Sequence, residues 1–583
     1  MSEKIKIAKT AGFCMGVRRA VEIALEEASL RQKNESIKTF GPLIHNPQVL
    51  DLLEEKDIPS IENIPEKGEG TIIIRAHGVP PEVKHKLKDV GFKILDATCP
   101  RVIKVQAIIK KHSALGYNVI IVGDHDHAEV IGLAGYAGEK GIVINSMEEF
   151  ENLPVYEKAI IVAQTTQNTK FYDEIQKRVK ERHLSYKVFN TICDSTEKRQ
   201  EEIKKIAKEV DAVIVVGGKT SGNTKRLKEV ALQQGTESFH IESEKELDSE
   251  YIASLDKVGI TAGASTPNWV ISQVYKNIET AKLKQKKSRL LAFFFILKFL
   301  LRTNILLGIG AASITFGSYC LAGLSPVDIR VIIAASFYIF SIHAINNIAL
   351  IKSDRFNDPE KARLYEKNKI FIGLSAVISG VIGLMIGYSI GILPFLLIFF
   401  MFISGLCYKM PVFYIPRITK GFQSLDKING AKAFVIAGAW GVIAAVIPFI
   451  AIGEIDFSKI FSVAVSFIFI SSMVFARSIW FDILAIQGNK IAGEITIPIL
   501  MGEEKAYRLL IYILLFVALF LILASVSGIS TSFGYILAIY PAIFLSFIVF
   551  DRRKTLQPDF FADVITESMF LIVGFFAILW KVF

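Results

Sequence analysis

The sequence predicts two folds in series, an α/β domain on parallel sheets followed by an all-α polytopic membrane domain of nine transmembrane helices. Three observations predict this. Up to about Lys287, short apolar runs alternate with charged, helix-like stretches; from about Leu290, long apolar segments dominate; and Lys and Arg gather in every second loop between those segments. The boundaries read as 1–283 for the first domain, 284–303 for a charged linker and interfacial helix, and 304–583 for the membrane domain.

In the first domain, apolar runs end in small or polar loops: "TIIIRAHGV", "NVIIVGDHDHAEV", "AIIVAQTTQN", "AVIVVGGKTSGNT" and "KVGITAGAST". Several lead into helix-like stretches such as "PEVKHKLKDVG", so strands alternate with helices as crossover-connected parallel sheets require. Ligands of open α/β sheets gather beyond the carboxyl ends of strands, where His77, His127, Thr165, Ser221 and Ser265 fall. The recurring unit suggests several small lobes converging on one centre. No apolar core of signal-peptide length opens the chain, so the first domain is expected in the cytoplasm.

The membrane segments centre near Ala311, Ala335, Val377, Leu396, Val442, Phe467, Leu515, Leu537 and Val573. The run "LLAFFFILKFLLR" before them reads as interfacial or as an extension of the first span. Basic loops after the second, fourth, sixth and eighth spans place the amino terminus inside and the carboxyl terminus outside a cytoplasmic (inner) membrane. With that distribution, the formal net charge of +10 points to a lipid bilayer and not to nucleic acid.

Five cysteines form no disulfide framework. Cys14, Cys99 and Cys193 sit at strand-to-loop junctions and could hold an iron-sulfur cluster as thiolates, leaving one iron open to substrate. They also read as small buried hydrophobes; their polar or glycine-bearing flanks and the histidines in similar loops weigh against that. His125 reads as a loop residue, and a zinc site of His125 with His127 lacks further partners at metal spacing.

Together "GFCMGVRRA", "PLIHNPQV", "RAHGV", "DATCPRVIKV", "HAEVIG", "QTTQ", "ICDSTEKRQ", "GGKTSGNTKRL" and "TAGASTP" resemble the 4-hydroxy-3-methylbut-2-enyl diphosphate reductase family (LytB/IspH) over residues 3 to 280. The resemblance implies a three-lobed, trefoil-like fold around a 4Fe-4S cluster and the last step of the methylerythritol phosphate route to isoprenoids. That step is reductive dehydroxylation of an allylic diphosphate to isopentenyl and dimethylallyl diphosphates, fed by a flavodoxin- or ferredoxin-type electron donor. It further implies Cys14, Cys99 and Cys193 as cluster ligands, Glu129 as proton source and Thr165 as the group that orients the substrate hydroxyl. His45, His77, His127, Ser221, Asn223 and Ser265 would hold the diphosphate. Gly222 stands where the family often has a second serine.

In the membrane domain "HAINNIALIKSDRFNDPEKAR" and "ARSIWFDILAIQGNKIAGEITIPILMG" resemble the two signature regions of the UbiA superfamily of intramembrane prenyltransferases, over residues 290 to 583. That family's pattern NDxxDxxxD falls on Asn346, Asn347, Leu350 and Asp354, and DxxDxxxD on Asp482, Ala485 and Asn489. Magnesium bridging a diphosphate wants anionic oxygens, and here only Asp354 and Asp482 remain of the aspartates. The resemblance implies a depleted Mg and prenyl diphosphate site of Asn346, Asn347, Asp354, Asn357, Lys432, Arg477, Asp482 and Asn489, with Gln487 and Arg363 beside it. Transfer, binding without transfer, and simple anchoring all stay open for this half. An alternative of another class is a membrane prenyltransferase whose soluble half only binds or senses diphosphate.

Overall fold

The computed structural model describes residues 4–31, 35–182, 185–285, 289–351, 354, 357–407, 430–453, 457–492, 494–554 and 560–582. The chain divides into two compact units, Met1–Lys287 and Ser288–Phe583.

The first unit holds three four-stranded sheets, every pairing parallel. The strands are β1 Ile5–Ile7, β2 Ile37–Phe40, β3 Ser60–Ile61, β4 Thr71–Ile74, β5 Lys93–Asp96, β6 Asn118–Val122, β7 Gly141–Ile144, β8 Ala159–Ala163, β9 Lys187–Val188, β10 Ala212–Val216, β11 Glu237–Ile241 and β12 Val258–Ala262. Their orders are β1-β12-β10-β11, β3-β2-β4-β5 and β7-β6-β8-β9. The central strands β4, β8, β10 and β12 are buried along their whole length. That burial explains their Val, Ile and Ala runs, interrupted only by Thr71, Gly259 and Thr261, because helices cover both faces of a parallel sheet. Register then places the loops: Val122 pairs with Ala163, setting the loop after β6 beside that after β8, and Val216 pairs with Ala262, doing the same for β10 and β12.

The second unit is helical. Seven described helices are long and apolar enough to cross a membrane: Ile305–Ala322, Ile329–Ala349, Lys369–Ile390, Ala431–Ala451, Ile460–Leu484, Glu503–Val526 and Asp563–Val582. The expected spans near Leu396 and Leu537 coincide with shorter apolar helices, Ile392–Cys407 and Phe533–Val549. At 16 residues the former rises roughly 24 Å, less than the hydrocarbon core of about 30 Å. The basic loop expected after Ile392–Cys407 lies outside the described residues. Helix Lys369–Ile390 shows how these helices divide their faces: Phe371, Val377, Val381 and Met385 are exposed, while Gly380, Gly383 and Gly387 are buried. The glycine face lets this helix approach Ile329–Ala349 closely, so that a Cβ at Gly380 would stand 2.9 Å from Ser341 Oγ.

Candidate active site

The three cysteines come one from each sheet. Cys14 follows β1, Cys99 follows β5 and Cys193 follows β9, and each is the N-cap of a helix: Met15–Leu30, Pro100–Ala114 and Asp194–Ala207. The positive ends of three helix dipoles thus meet three thiols, an arrangement that favours thiolates. Cys14 Sγ accepts from the Val17 N–H at 3.5 Å. The Cys14 N–H donates to Ala264 O, that of Cys99 to Ala76 O and that of Cys193 to Thr165 O, at 3.1, 2.9 and 2.9 Å. A side chain at Gly16 would overlap Cys99 Sγ, so "CMGV" needs its glycine for two thiol-bearing loops to meet. Burial raises the Cys99 and Cys193 thiols above their ordinary range, and the charge of Cys14 raises both further.

This donor set fits an iron-sulfur cluster. All three thiols are free and half-buried. Among the described residues only His45, His77 and His127 bring three ligand atoms within 4.8 Å of one another.

The histidine trio is built for an anion. His45, His77 and His127 stand beyond β2, β4 and β6, with ring centroids 4.5, 5.5 and 5.4 Å apart. Burial lowers all three below the usual imidazole range, His77 far below and His127 to about 4, so the rings are neutral. His127 Nδ1 accepts the Glu129 N–H at 3.1 Å, which assigns its proton to Nε2 and makes that atom a donor. A metal would need a lone pair there. Beside the trio, Ser221 N-caps helix Gly222–Leu232, and Ser265 Oγ donates to His45 O at 3.0 Å. Asn223 is only 4 % exposed, yet among the described residues neither of its side-chain polar atoms has a partner, nor do the buried His45 Nε2 and His77 Nδ1. Buried polar atoms without partners in a native fold mark a place for a ligand.

Glu129 is 2 % exposed. The Thr165 N–H and Oγ1–H donate to its two carboxylate oxygens at 2.7 and 2.8 Å, a clasp that follows from the β6–β8 register. Burial nevertheless wins over these bonds and pushes the carboxyl up to about 7. Three residues that the motifs do not single out complete this wall. Arg226 Nη2 donates to both Asp124 oxygens at 3.0 and 2.9 Å, and Gln164 Oε1 accepts the Asp124 N–H at 3.0 Å. Their sequence signal is weak: Asp124 and Gln164 stand in the loops after β6 and β8, Gln164 opening "QTTQ", and Arg226 is in "GGKTSGNTKRL" on helix Gly222–Leu232. His125 lies apart, 3.2 Å from Glu149, as a loop residue should.

In the second unit the two signature regions meet. Asn489 Nδ2 donates to Asp482 Oδ1 at 3.3 Å, and Asn357 Nδ2 donates to Asn489 Oδ1 at 2.9 Å. A side chain at Gly488 would overlap Asn357. Asp354 pairs with Lys361 at 3.3 Å, and Lys432 with Glu494 at 3.0 Å; Lys432 also acts electrostatically on Asp482 and Asp354. Asn347 donates to Tyr365 Oη at 3.4 Å, Asn346 is half-buried, and Arg363 is exposed. The Gln487 side chain lies outside the described residues. Arg477 is engaged elsewhere: it pairs with Glu567 and lies 4.8 Å from the Phe481 ring centroid. Each carboxylate of the cluster has a lysine or amide partner.

Residues 5–279 match the family model described as LytB protein, and residues 304–573 match that of the UbiA prenyltransferase family. Two proteins named 4-hydroxy-3-methylbut-2-enyl diphosphate reductase are similar to this chain. That of Caldanaerobacter subterraneus subsp. tengcongensis is 44% identical over 283 residues, covering 48% of this chain and 98% of the relative. That of Aquifex aeolicus is 43% identical over 278 residues, covering 47% and 96%. Among solved structures, the E-1-hydroxy-2-methyl-but-2-enyl-4-diphosphate reductase from Plasmodium falciparum is 27% identical with a TM-score of 0.45, over 47% of this chain and 87% of that one. A UbiA homolog from Archaeoglobus fulgidus bound to GPP and Mg2+ is 16% identical with a TM-score of 0.36, over 48% and 98%. With its seven long apolar helices, the second unit makes this a multi-pass membrane protein. Its first half, spanning those reductases almost end to end, makes the chain an oxidoreductase of the LytB family, joined to a UbiA-family domain at residues 304–573.

Proposed function

We propose that the first unit removes the hydroxyl of (E)-4-hydroxy-3-methylbut-2-enyl diphosphate, giving isopentenyl and dimethylallyl diphosphates, at a 4Fe-4S cluster held by Cys14, Cys99 and Cys193. The observation that carries this reading is the convergence of one N-capping cysteine from each sheet. The trefoil-like arrangement of the three sheets belongs to the same reading. The balance is one C–O bond broken, two electrons and two protons taken up, and one water released. When bound, the cluster supplies the electrons one at a time, from a flavodoxin- or ferredoxin-type donor.

The chain's own residues do the rest. Neutral imidazoles of His45, His77 and His127, the Ser221 hydroxyl, the Ser265 hydroxyl once it turns from His45 O, and the Asn223 amide donate to the diphosphate without a metal. Glu129, protonated on the oxygen facing Thr165, donates to Thr165 Oγ1 and frees that hydroxyl's proton for the departing oxygen. The test is anaerobic turnover by the purified, cluster-loaded full chain with a one-electron donor. An intact cluster that leaves this substrate unchanged would sink the proposal.

Gly222 adds a prediction. A Cβ there would meet Asp124 Oδ2, His127 Cδ2 and Gln164 Nε2 at 3.6, 3.6 and 3.7 Å, ordinary contacts. Gly222→Ser should therefore be tolerated and add a donor at the helix N-terminus. A gain of about 1 kcal/mol corresponds to a KM roughly five-fold lower; an unchanged KM would show that the added hydroxyl does not reach the diphosphate.

For the second unit we propose a prenyl diphosphate site of reduced metal dependence, favoured by the Asp482–Asn489–Asn357 chain that joins the two signature regions. On binding, Lys432 and Lys361 turn from Glu494 and Asp354 to the diphosphate and carry charge that magnesium would otherwise supply. The helices Ile392–Cys407 and Phe533–Val549 complete nine spans in the cytoplasmic membrane, amino terminus inside and carboxyl terminus outside, as the basic loops require. Calorimetric titration of a long-chain prenyl diphosphate into the detergent-solubilised full chain is expected to show binding with and without magnesium, lost in Lys432→Met. Binding that strictly needs magnesium would refute the lysine reading, and no binding would leave this half an anchor.

A further inference from the structure

Arg199 is a charged side chain that the proposed chemistry leaves without a role. It lies on helix Asp194–Ala207, six residues beyond Cys193, and is 3 % exposed. Its Nη1–H donates to Ala262 O at 3.1 Å and its Nη2–H to Gly12 O at 2.7 Å; Nε–H reaches Ser195 Oγ at 3.4 Å. Gly12 precedes Cys14 by two residues, and Ala262 ends β12 two residues before Ala264, whose carbonyl takes the Cys14 N–H. One guanidinium therefore ties together both strand-end segments that carry Cys14.

Its partners are all neutral oxygens. Arg199 forms no salt bridge with a carboxylate among the described residues, and a guanidinium withdrawn from water without an anion is costly. The charges it feels most are those of Cys14 and Cys193, with Glu202 after them. Glu202 is itself occupied by the Lys9 N–H, the Thr10 N–H and the Thr10 hydroxyl.

We infer that Arg199 is the buried counter-charge of the cysteine-held cluster, a positioning residue that raises its reduction potential by stabilising the more negative, reduced state. The inference rests on the cluster reading of Cys14, Cys99 and Cys193. Net charge and hydrogen bonding around a cluster set its potential, and a fixed cation inside the protein is screened far less than one at the surface.

The test is a redox titration of the cluster in the full-chain holoenzyme, followed by its reduced-state EPR signal. For Arg199→Gln, the ratio of reduced to oxidised cluster at a fixed potential should fall roughly ten-fold, which is 59 mV for one electron. Arg199→Lys, which keeps the charge but not the fork of bonds, should stay close to wild type. Glu202→Gln, which keeps one acceptor oxygen for the Thr10 N–H and hydroxyl, gives up the Lys9 N–H bond and drops a negative charge, should shift the potential the opposite way. Equal shifts in the Gln and Lys variants, or an unmoved potential in Arg199→Gln, would overturn the inference. Should Arg199→Gln fail to assemble a cluster, Glu202→Gln decides: an upward shift supports the counter-charge, and no shift refutes it. A wild-type protein that takes up no cluster refutes the underlying reading instead.

Discussion

Replacing Glu129 with Gln is expected to lower kcat/KM by about 10²- to 10⁴-fold, the range supplied by a positioned general acid. Gln keeps the side chain's size and an oxygen for the Thr165 N–H, so the β6–β8 clasp and the histidine trio should remain. It lacks the oxygen that can carry a proton to Thr165 Oγ1. With the native carboxyl at about 7, the acid is loaded below that pH and lost above it. Native kcat/KM should fall about ten-fold per unit as pH rises beyond 7, and the residual activity of the variant should show no such limb. Stability carries the same signature. Below the ordinary value of 4.5 folded and unfolded chains both hold the proton; between 4.5 and 7 only the folded one does, so stability declines as pH rises through that window. Glu129→Gln removes the decline, about 3 kcal/mol in full, and should melt higher than wild type at pH 8 but not at pH 4. A variant with native turnover would exclude Glu129 as the proton source.

Glu129 also marks where reading the sequence stops. By itself "HAEV" describes a surface carboxylate, and nothing local says that the side chain is buried. Burial follows from the pairing of β6 with β8 and from the loop after β8 closing over it, contacts that span 36 residues. Strands were legible because their apolar runs are nearly continuous, and the ligand-gathering loops because they end those runs. The tautomer of His127, the Asp124–Arg226 pair and the buried guanidinium of Arg199 were not, since each depends on which loops lie face to face.

The membrane half was legible in a different measure. Long apolar segments announce themselves by length, and seven of the nine expected ones are helices long enough to cross a membrane. Partners within the membrane do not announce themselves. Arg477, readable as a phosphate-neutralising cation, is paired with Glu567, 90 residues away. The Asp482–Asn489 bond crosses from helix Ile460–Leu484 to helix Ile486–Ala492 at Ala485, and a spacing of seven residues does not announce it, since side chains that touch on one helix are three or four apart.

Replacing Cys193 with Ser should abolish turnover by removing the cluster while leaving the fold in place. The two effects separate because Cys193 acts through two groups. Its backbone N–H donates to Thr165 O at 2.9 Å and its residue caps helix Asp194–Ala207, and serine does both, being among the preferred N-cap residues. Its sulfur is a different matter: iron-sulfur clusters are held by thiolates, and a hydroxyl neither ionises near neutral pH nor offers a soft donor. With two thiolates left of three, visible cluster absorbance and turnover should disappear together, while the first unit still unfolds cooperatively and still binds inorganic diphosphate at the Asn223 amide, His45 Nε2 and His77 Nδ1, which have no partner among the described residues. Cys320→Ser, in helix Ile305–Ala322, and Cys407→Ser should leave the absorbance intact. Turnover that survives in Cys193→Ser would end the cluster reading. Diphosphate binding without cluster or turnover in the wild type would instead favour a soluble half that senses the anion, and the same three histidines would then serve recognition alone.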